Sequence, residues 1–354
     1  MPTVIKRWAS RFFIDALTGM AHGLFATLII GTIMVQLGKY IPGTIGEFLI
    51  LIGSIASVLT GLGIGIGVAH RLGASTYVLA GTGLAGMTGA HATRILHGGV
   101  VDGLTMNLSG PGEPLGAFIA SFVAVEVGLA VSGKTPVDIL VTPFMTVTSG
   151  SVIGFLIGPS ISQMMTALGQ IINWGTERQP FLMGIIVAVL MGMILTLPIS
   201  SAALAIILGL SGLAAGAATI GCSAQMVGFA VASYRENGIA GLISQGIGTS
   251  MLQVSNIVRR PLIWLPPILT SAILGPVATV IFRMENNASG AGMGTSGLVG
   301  QLMTWDVMSA TTTPGVLFSL ILGLHFVAPA ALTLLFAELM RKWGYIRPGD
   351  MKLD

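Results

Sequence analysis

The chain has 354 residues, of which 53% are hydrophobic and only 8% charged, and its formal net charge is +3. About a quarter of the residues in a soluble domain are charged, so this composition excludes a soluble globular protein and indicates an integral membrane protein. The single cysteine, Cys222, excludes a disulfide framework or a cysteine-rich metal site. We expect no cofactor and no nucleic-acid partner.

Apolar segments in chain order predict membrane helices, because a span needs about 20 predominantly apolar residues. The predicted spans are 12–37, 45–69, 74–90, 115–133, 139–160, 180–197, 203–234, 262–283 and 315–340. The predicted fold class is therefore an all-α integral membrane protein with about 8–10 transmembrane helices.

Basic residues flank the first and last spans. They are Lys6, Arg7 and Arg11 before the first span, and Arg341, Lys342, Arg347 and Lys352 after the last. Because cytoplasmic loops are enriched in lysine and arginine, both termini are predicted to be cytoplasmic.

The predicted organisation is an N-terminal membrane half (1–160), an amphipathic linker (161–179), a C-terminal membrane half (180–341) and a cytoplasmic tail (342–354). Two features leave alternatives open. The linker, which contains "ISQMMTALGQIIN", lies along the membrane or extends the fifth span. Pro198, in "LTLPISS", marks either a helix broken within the membrane or a tight turn between two spans.

Two acidic residues near the fourth span are functional candidates, because ionisable groups at membrane depth are expensive. Glu126 lies midway along this span and must be protonated or paired. Glu113, in "SGPGEPLG", precedes the span. Its carboxylate either accepts hydrogen bonds from sugar hydroxyls or is a solvated acid at a helix start.

Two nearly identical heptads stand out, "GIGTSML" at 246–252 and "GMGTSGL" at 292–298. In each, Thr-Ser before apolar residues is typical of a helix start, where the hydroxyl accepts from first-turn amides. We predict that the heptads are the tips of re-entrant hairpins near 235–258 and 285–304, buried in protein or lining a cavity. Alternatively, the glycines serve packing and the hydroxyls bond back to the preceding turn.

Two helix starts that face one cavity would direct unpaired N–H groups at a polar solute. The candidate solute-binding residues are Glu113, Gln225, Gln245, Thr249, Ser250, Asn286, Asn287, Thr295, Ser296 and Gln301. No catalytic or metal-binding residues are predicted, since phosphate-loop, nucleophile-elbow and paired-carboxylate patterns are missing from the sequence. The chain is not expected to be an enzyme by itself.

From "TLPISSAALAIILGLSGLAAGAA" through "NNASGAGMGTSGLVGQ", the chain resembles the phosphotransferase-system enzyme II C-like membrane protein family that includes the perfringolysin O regulator protein. The resemblance covers nearly the whole chain, to "WGYIRPGDMKL", and is most specific over 196–301. It implies kinship to sugar-translocating C subunits of the bacterial plasma membrane. It also implies a homodimer, two re-entrant hairpins, elevator-type movement, and separate phosphotransferase A and B proteins as partners.

The chain departs from glucose-type C subunits, which present a glutamate in such a hairpin. No acidic residue lies between Asn286 and Gln301, and Glu113 or Glu285 would have to substitute for it.

The expected function is a membrane permease for a small polar solute, a sugar or related compound. The alternative is a membrane-embedded sensor that binds the same solute and signals without transport. A channel is disfavoured because no segment provides a ring of like charges.

Overall fold

The computed structural model describes residues 8–98, 101–102, 105–106, 108, 110–176 and 178–353. The chain divides after Met164 into two compact units. Almost all regular structure in the described ranges is helical, as expected for long apolar segments whose backbone must be hydrogen-bonded internally.

The first unit holds α1 (Trp8–Tyr40), α2 (Thr44–Val58), α3 (Thr60–Arg71), α4 (Thr76–Ala90), α5 (Ala92–Leu96), the antiparallel strands β1 (Val101–Asp102) and β2 (Thr105–Met106), and α6 (Pro114–Val131). Helix α7 (Asp138–Thr176) begins in this unit and ends in the second. Parts of α1 are wound as π-helix.

The second unit continues with α8 (Pro180–Thr196), α9 (Ser201–Ile207), α10 (Gly212–Ala232), α11 (Tyr234–Ile243), α12 (Val254–Arg259), α13 (Pro261–Ile281), α14 (Ala288–Ala291), α15 (Val299–Met308) and α16 (Pro314–Lys342). Short π and 3-10 turns join several of them.

Six described helices are long and apolar enough to cross a membrane, namely α1, α6, α7, α10, α13 and α16. Helices α2 and α3 together make a seventh candidate span with a 57° bend between them. Helix α8, with 17 residues, is apolar but shorter. The predicted fold class, an all-α integral membrane protein, is confirmed.

Helices of the first unit pack at backbone contact. A Cβ atom at Gly23 in α1 would lie 2.1 Å from the carbonyl oxygen of Gly63 in α3, and one at Gly89 in α4 would lie 2.5 Å from that of Gly116 in α6. Small residues allow this approach between helices that have no hydrophobic drive to associate in lipid.

Glu126 in α6 has a partner, the guanidinium of Arg11 in α1, at 2.5 Å. Of the two alternatives for this acidic residue, pairing is the one observed. The ion pair joins two helices of the first unit and neutralises both charges within it.

Helix α10 is the centre of the second unit, and 89% of its most apolar window is buried. It packs against α8, α13 and α16. A Cβ atom at Gly221 would lie 1.8 Å from the carbonyl oxygen of Ala188 in α8, so these two backbones touch. The segments around both heptads also contact this helix.

The span predicted at 203–234 is present as α10, but it is shorter than predicted because residues 201–207 form the separate helix α9. Gly209 and Gly212 have positive φ angles of 60° and 54°, which turn the chain between the two helices. Pro198 lies in a second break, between α8 and α9. Residues 161–173 continue α7 without interruption; their position relative to the membrane surface stays a prediction.

Candidate functional site

The first heptad lies in a break between two helices. Helix α11 continues into a π-helical turn at Ser244–Gly248, Thr249 is extended, and a 3-10 turn at Ser250–Gln253 leads into α12. The Thr249 hydroxyl accepts from the Met251 amide at 3.2 Å. The cap predicted for this heptad is therefore present. We call residues 244–253 the first tip.

The second heptad forms a tighter break, which we call the second tip (residues 292–298). Gly294, Gly297 and Leu298 have φ angles of 52°, 53° and 59°, so three residues adopt left-handed backbone. A Cβ atom at Gly294 would lie 2.7 Å from the carbonyl carbon of Cys222 in α10. Glycine is required here both for the positive φ and for this close approach.

The two tips contact each other. The Thr295 hydroxyl donates to the carbonyl oxygen of Gly246 at 2.5 Å, and it also lies 3.5 Å from the sulfur of Met226. This result corrects the expectation that the second threonine caps its own helix, because no side-chain cap is formed there. The second Thr-Ser pair instead joins one tip to the other.

Gln225, in α10, lies at the centre of a buried group of neutral side chains. Its Oε1 accepts from the indole N–H of Trp264 at 2.9 Å and from the Thr196 hydroxyl at 3.3 Å. Thr196 also shares a 2.8 Å hydrogen bond with Ser250 of the first tip. Gln225 and Ser250 are both fully buried. The group joins α8, α10, α13 and the first tip without any charged residue among its members.

Both polar side-chain atoms of Asn286 are hydrogen-bonded within the protein. Its amide nitrogen lies within 2.7–3.0 Å of the Thr219 hydroxyl, the Gly300 carbonyl and the Thr304 hydroxyl. Its Oδ1 accepts from the Asn287 amide at 2.8 Å. These bonds hold the chain segment that leads into the second tip against α10 and α15.

Two other predicted residues belong to the same region. The Asn287 side chain caps α14 by accepting from the Gly290 amide at 3.1 Å. Gln301, in α15, donates through Nε2 to Nδ1 of His325 in α16, at 2.9 Å. Gln301 and His325 are both buried.

Gln245 is bonded to residues around the first tip, whereas Glu113 makes its contact in the first unit. Gln245 donates to the Ser233 hydroxyl and the Gly241 carbonyl, both at 2.9 Å, and accepts from Gln253 at 2.8 Å. Glu113 belongs to the first unit, where its side chain accepts from the Leu115 amide at 3.5 Å at the start of α6. It thus has the helix-start role considered as its second interpretation.

Three predicted residues carry buried polar atoms that have no hydrogen-bond partner among the described residues: Gln225 Nε2, Ser296 Oγ and Gln301 Oε1. All three belong to the second unit. The other polar atoms just described in this unit are bonded. A buried polar group left unpaired costs about 1–3 kcal/mol, so each of these atoms provides capacity for binding a polar ligand.

Sequence reasoning missed Thr196, Trp264 and His325. Each is a single polar or aromatic residue in an apolar segment, and its partner lies 29, 39 or 24 positions away in the chain. Their contacts depend on tertiary packing. The sequence signal that could have found these three residues is a polar atom at membrane depth, which is costly unless it has a partner.

A cleft of about 380 Å³ lies in the second unit at the junction of α10, α11 and α16. It is lined by Val231, Ala232, Tyr234, Arg235, Leu242, Leu334, Glu338 and Arg341, none of which belongs to the predicted set. Within the ranges that the structure covers, no cluster of three or more histidine, cysteine or acidic residues could hold a metal ion.

Comparison with known protein families assigns the chain to one family. A family model described as "Phosphotransferase system, EIIC" matches residues 14–353. No curated protein matches the chain significantly. Because the family model covers almost the whole chain, from α1 to the residues after α16, the chain belongs to the phosphotransferase system EIIC family and is a bacterial membrane protein of the transporter type.

Proposed function

We propose that the chain is a permease for a small, uncharged, polyhydroxylated solute, a sugar or a related polyol. The observation that carries the proposal is the set of three buried, unpaired polar atoms on Gln225, Ser296 and Gln301, beside two helix breaks that contact each other. An apolar interior with such atoms favours a ligand that supplies both donors and acceptors.

The chemistry of these atoms favours a neutral solute. Gln225 Nε2 donates, Gln301 Oε1 accepts, and the Ser296 hydroxyl does either. Sugar hydroxyls match this mixture because each is both donor and acceptor. The three side chains carry no positive charge that would favour an anionic solute.

The remaining predicted residues fall into positioning roles in this proposal. Thr249, Ser250 and Thr295 shape and join the tips, while Gln245, Asn286 and Asn287 hold the segments on either side. Glu285 is the acidic residue that we propose for contact with solute if transport is coupled to phosphorylation, whereas Glu113 caps α6 in the first unit.

Alternating access would follow from an elevator-type movement of the C-terminal membrane half. In transporters, discontinuous helices form the solute site and move with it. We further propose that both termini are cytoplasmic, that the permease is a homodimer, and that separate A and B proteins of the phosphotransferase system phosphorylate the solute. The family membership supports a polar substrate and such partners.

A solute-binding sensor is the second candidate, and one observation favours it. The residues after α16 are hydrogen-bonded to side chains on both sides of the first tip, which links the proposed site to the tail. A sensor would bind solute at the same place but would not carry it into vesicles.

Uptake of labelled hexoses and polyols into proteoliposomes tests the proposal. The exchange Gln225→Leu should abolish both binding and uptake. The control Thr333→Val removes a buried hydroxyl bond to Thr270 in the same unit and should leave affinity unchanged. Binding without uptake, with or without phosphorylating partners, would identify a sensor. Normal affinity in the Gln225 variant would remove this residue from the site.

A further inference from the structure

Residues 346–353, which we call the terminal segment, lie along α11 and are held there through their backbone. The amides of Gly349 and Met351 donate to the carboxylate of Glu236 at 3.1 and 2.9 Å. The Leu353 amide donates to Oδ1 of Asn237 at 2.8 Å. One carboxylate and one amide side chain of α11 thus bind three backbone N–H groups.

The carbonyl groups of the same segment are also bound, partly from the other side of the first tip. Asn237 and Gln253 donate to the Met351 carbonyl at 2.9 and 3.0 Å, and Asn256 donates to the Lys352 carbonyl at 2.8 Å. Glu236 and Asn237 precede the first tip, whereas Gln253 ends it and Asn256 follows in α12. The terminal segment therefore bridges the two arms that support this tip.

Apolar and ionic contacts anchor the terminal segment as well. Ile346 and Met351 are buried, at 2% and 0% exposure, in a cluster with Phe229 and Met340. Asp350 pairs with Arg260 at 3.5 Å. A segment with buried anchors and bonded backbone groups is a specific docked element.

Two hydrogen bonds and one step along the chain lead from the terminal segment to the contact between the tips. Gln253, which is fully buried, lies within hydrogen-bond distance of both the Met351 carbonyl and Oε1 of Gln245. Gln245 directly precedes Gly246, whose carbonyl accepts from Thr295 of the second tip. Displacement of the terminal segment would leave Gln253 and Asn256 without their backbone acceptors.

We propose that the terminal segment is an intramolecular strap that holds the first tip against the second, and that its release frees the first tip to move. The strap acts by binding both arms of the tip at once. Its effect on solute movement rests on the proposed function, but its hold on the tip does not.

Hydrogen exchange on the full chain tests the strap. Removing the residues after Tyr345 should accelerate amide exchange in the first tip about tenfold or more, as expected when several hydrogen bonds, two of them to a carboxylate, are lost. The exchange Glu236→Gln should produce a smaller acceleration in the same segment. The control Asp306→Asn alters an exposed carboxylate of the same unit and should have no effect on it.

A peptide added in trans gives an independent readout. A synthetic peptide of residues 346–353 should restore slow exchange in the first tip of the shortened chain, while a scrambled peptide should not. High peptide concentration is needed, because the attached segment acts at an effective concentration in the millimolar range. Unchanged exchange in both the shortened chain and the Glu236→Gln variant would overturn the proposal.

Uptake measurements on the intact chain, compared with tip exchange in the shortened chain, keep the two proposals distinct. Faster tip exchange without any solute uptake by the intact chain would support the strap and remove the permease. Uptake by the intact chain with unchanged tip exchange after shortening would support the permease and remove the strap.

Discussion

Removing the hydroxyl of Ser296 tests whether this single atom contributes to solute binding or to the stability of the fold. It is buried and has no partner in the described part of the protein. We expect Ser296→Ala to change the free energy of unfolding by less than about 0.5 kcal/mol. The same exchange should weaken binding of a labelled hexose about tenfold, because one hydrogen bond to the solute is lost.

Equilibrium binding and thermal unfolding in detergent measure both effects. Ser319→Ala is the matched control, since the Ser319 hydroxyl is exposed and bonds back to the Gly315 carbonyl within α16. Equal affinity of the two variants would exclude Ser296 from the site.

Asn286 should show the opposite behaviour. Its removal leaves Thr219, Thr304 and the Gly300 carbonyl without their common partner. We expect Asn286→Ala to destabilise the protein by about 1–3 kcal/mol. Asn287→Ala, which removes a half-buried helix cap, should cost about 1 kcal/mol. Thermal unfolding measures which of the two variants is less stable. An Asn286 variant as stable as the wild type would contradict the assigned positioning role.

The residues of the two heptads show how far sequence reasoning reaches. The cap made by Thr249 is a local feature, two residues long, and the Thr-Ser pattern predicts it correctly. The bond made by Thr295 reaches Gly246, 49 positions away, and the same pattern gives a wrong role for it. Nearly identical local sequences can therefore contribute one cap and one tertiary contact.

At the level of helices, packing at α10 depends on direct backbone contact with α8. A methyl group at Gly221 would lie 1.8 Å from a carbonyl oxygen, and neighbouring backbone cannot yield. We expect Gly221→Ala to separate the helices and to destabilise the second unit by about 2 kcal/mol or more.

Gly315→Ala is the matched control, because nothing lies within 4 Å of a Cβ atom there. It should be neutral or stabilising by up to about 1 kcal/mol, since alanine favours helix. Thermal unfolding compares the two variants directly. Equal stability would contradict the close packing of α8 and α10.

Helix prediction succeeded where apolar length alone decides, as at α6, α13 and α16. It placed the start of the 203–234 span too early, because Gly209 and Gly212 turn the chain between α9 and α10. Glycine is common within membrane helices, so its presence does not distinguish a packing contact from a break. Whether these two glycines adopt positive φ angles depends on how α9 packs in the folded protein, and the sequence alone does not show this packing.

At the scale of the whole molecule, orientation in the membrane is open to direct measurement. We expect the end of α16 to face the cytoplasm because of its basic residues. A single cysteine at the exposed position 343, introduced by Trp343→Cys in a Cys222→Ala background, should react with a membrane-impermeant maleimide in inside-out vesicles only. Labelling in right-side-out vesicles only would reverse the predicted orientation.

The family assignment also belongs to this scale, because it rests on a match along residues 14–353 rather than on any single motif. The resemblance seen in the sequence was confirmed at the level of the phosphotransferase system EIIC family. The solute and the dimer depend on contacts beyond those within one chain, which the sequence of that chain does not display.

The most direct test of the account is a disulfide between the two tips, made by Gly246→Cys and Thr295→Cys in a Cys222→Ala background. A Cβ atom at position 246 has room, with its nearest neighbour at 3.4 Å. We expect oxidation to cross-link the tips, so that the first tip cannot separate from the second to admit solute, and thus to stop solute uptake into proteoliposomes. Reduction should restore uptake. If fully cross-linked protein took up solute as fast as the protein with its disulfide reduced, the claim that the tips form a moving solute site would be contradicted.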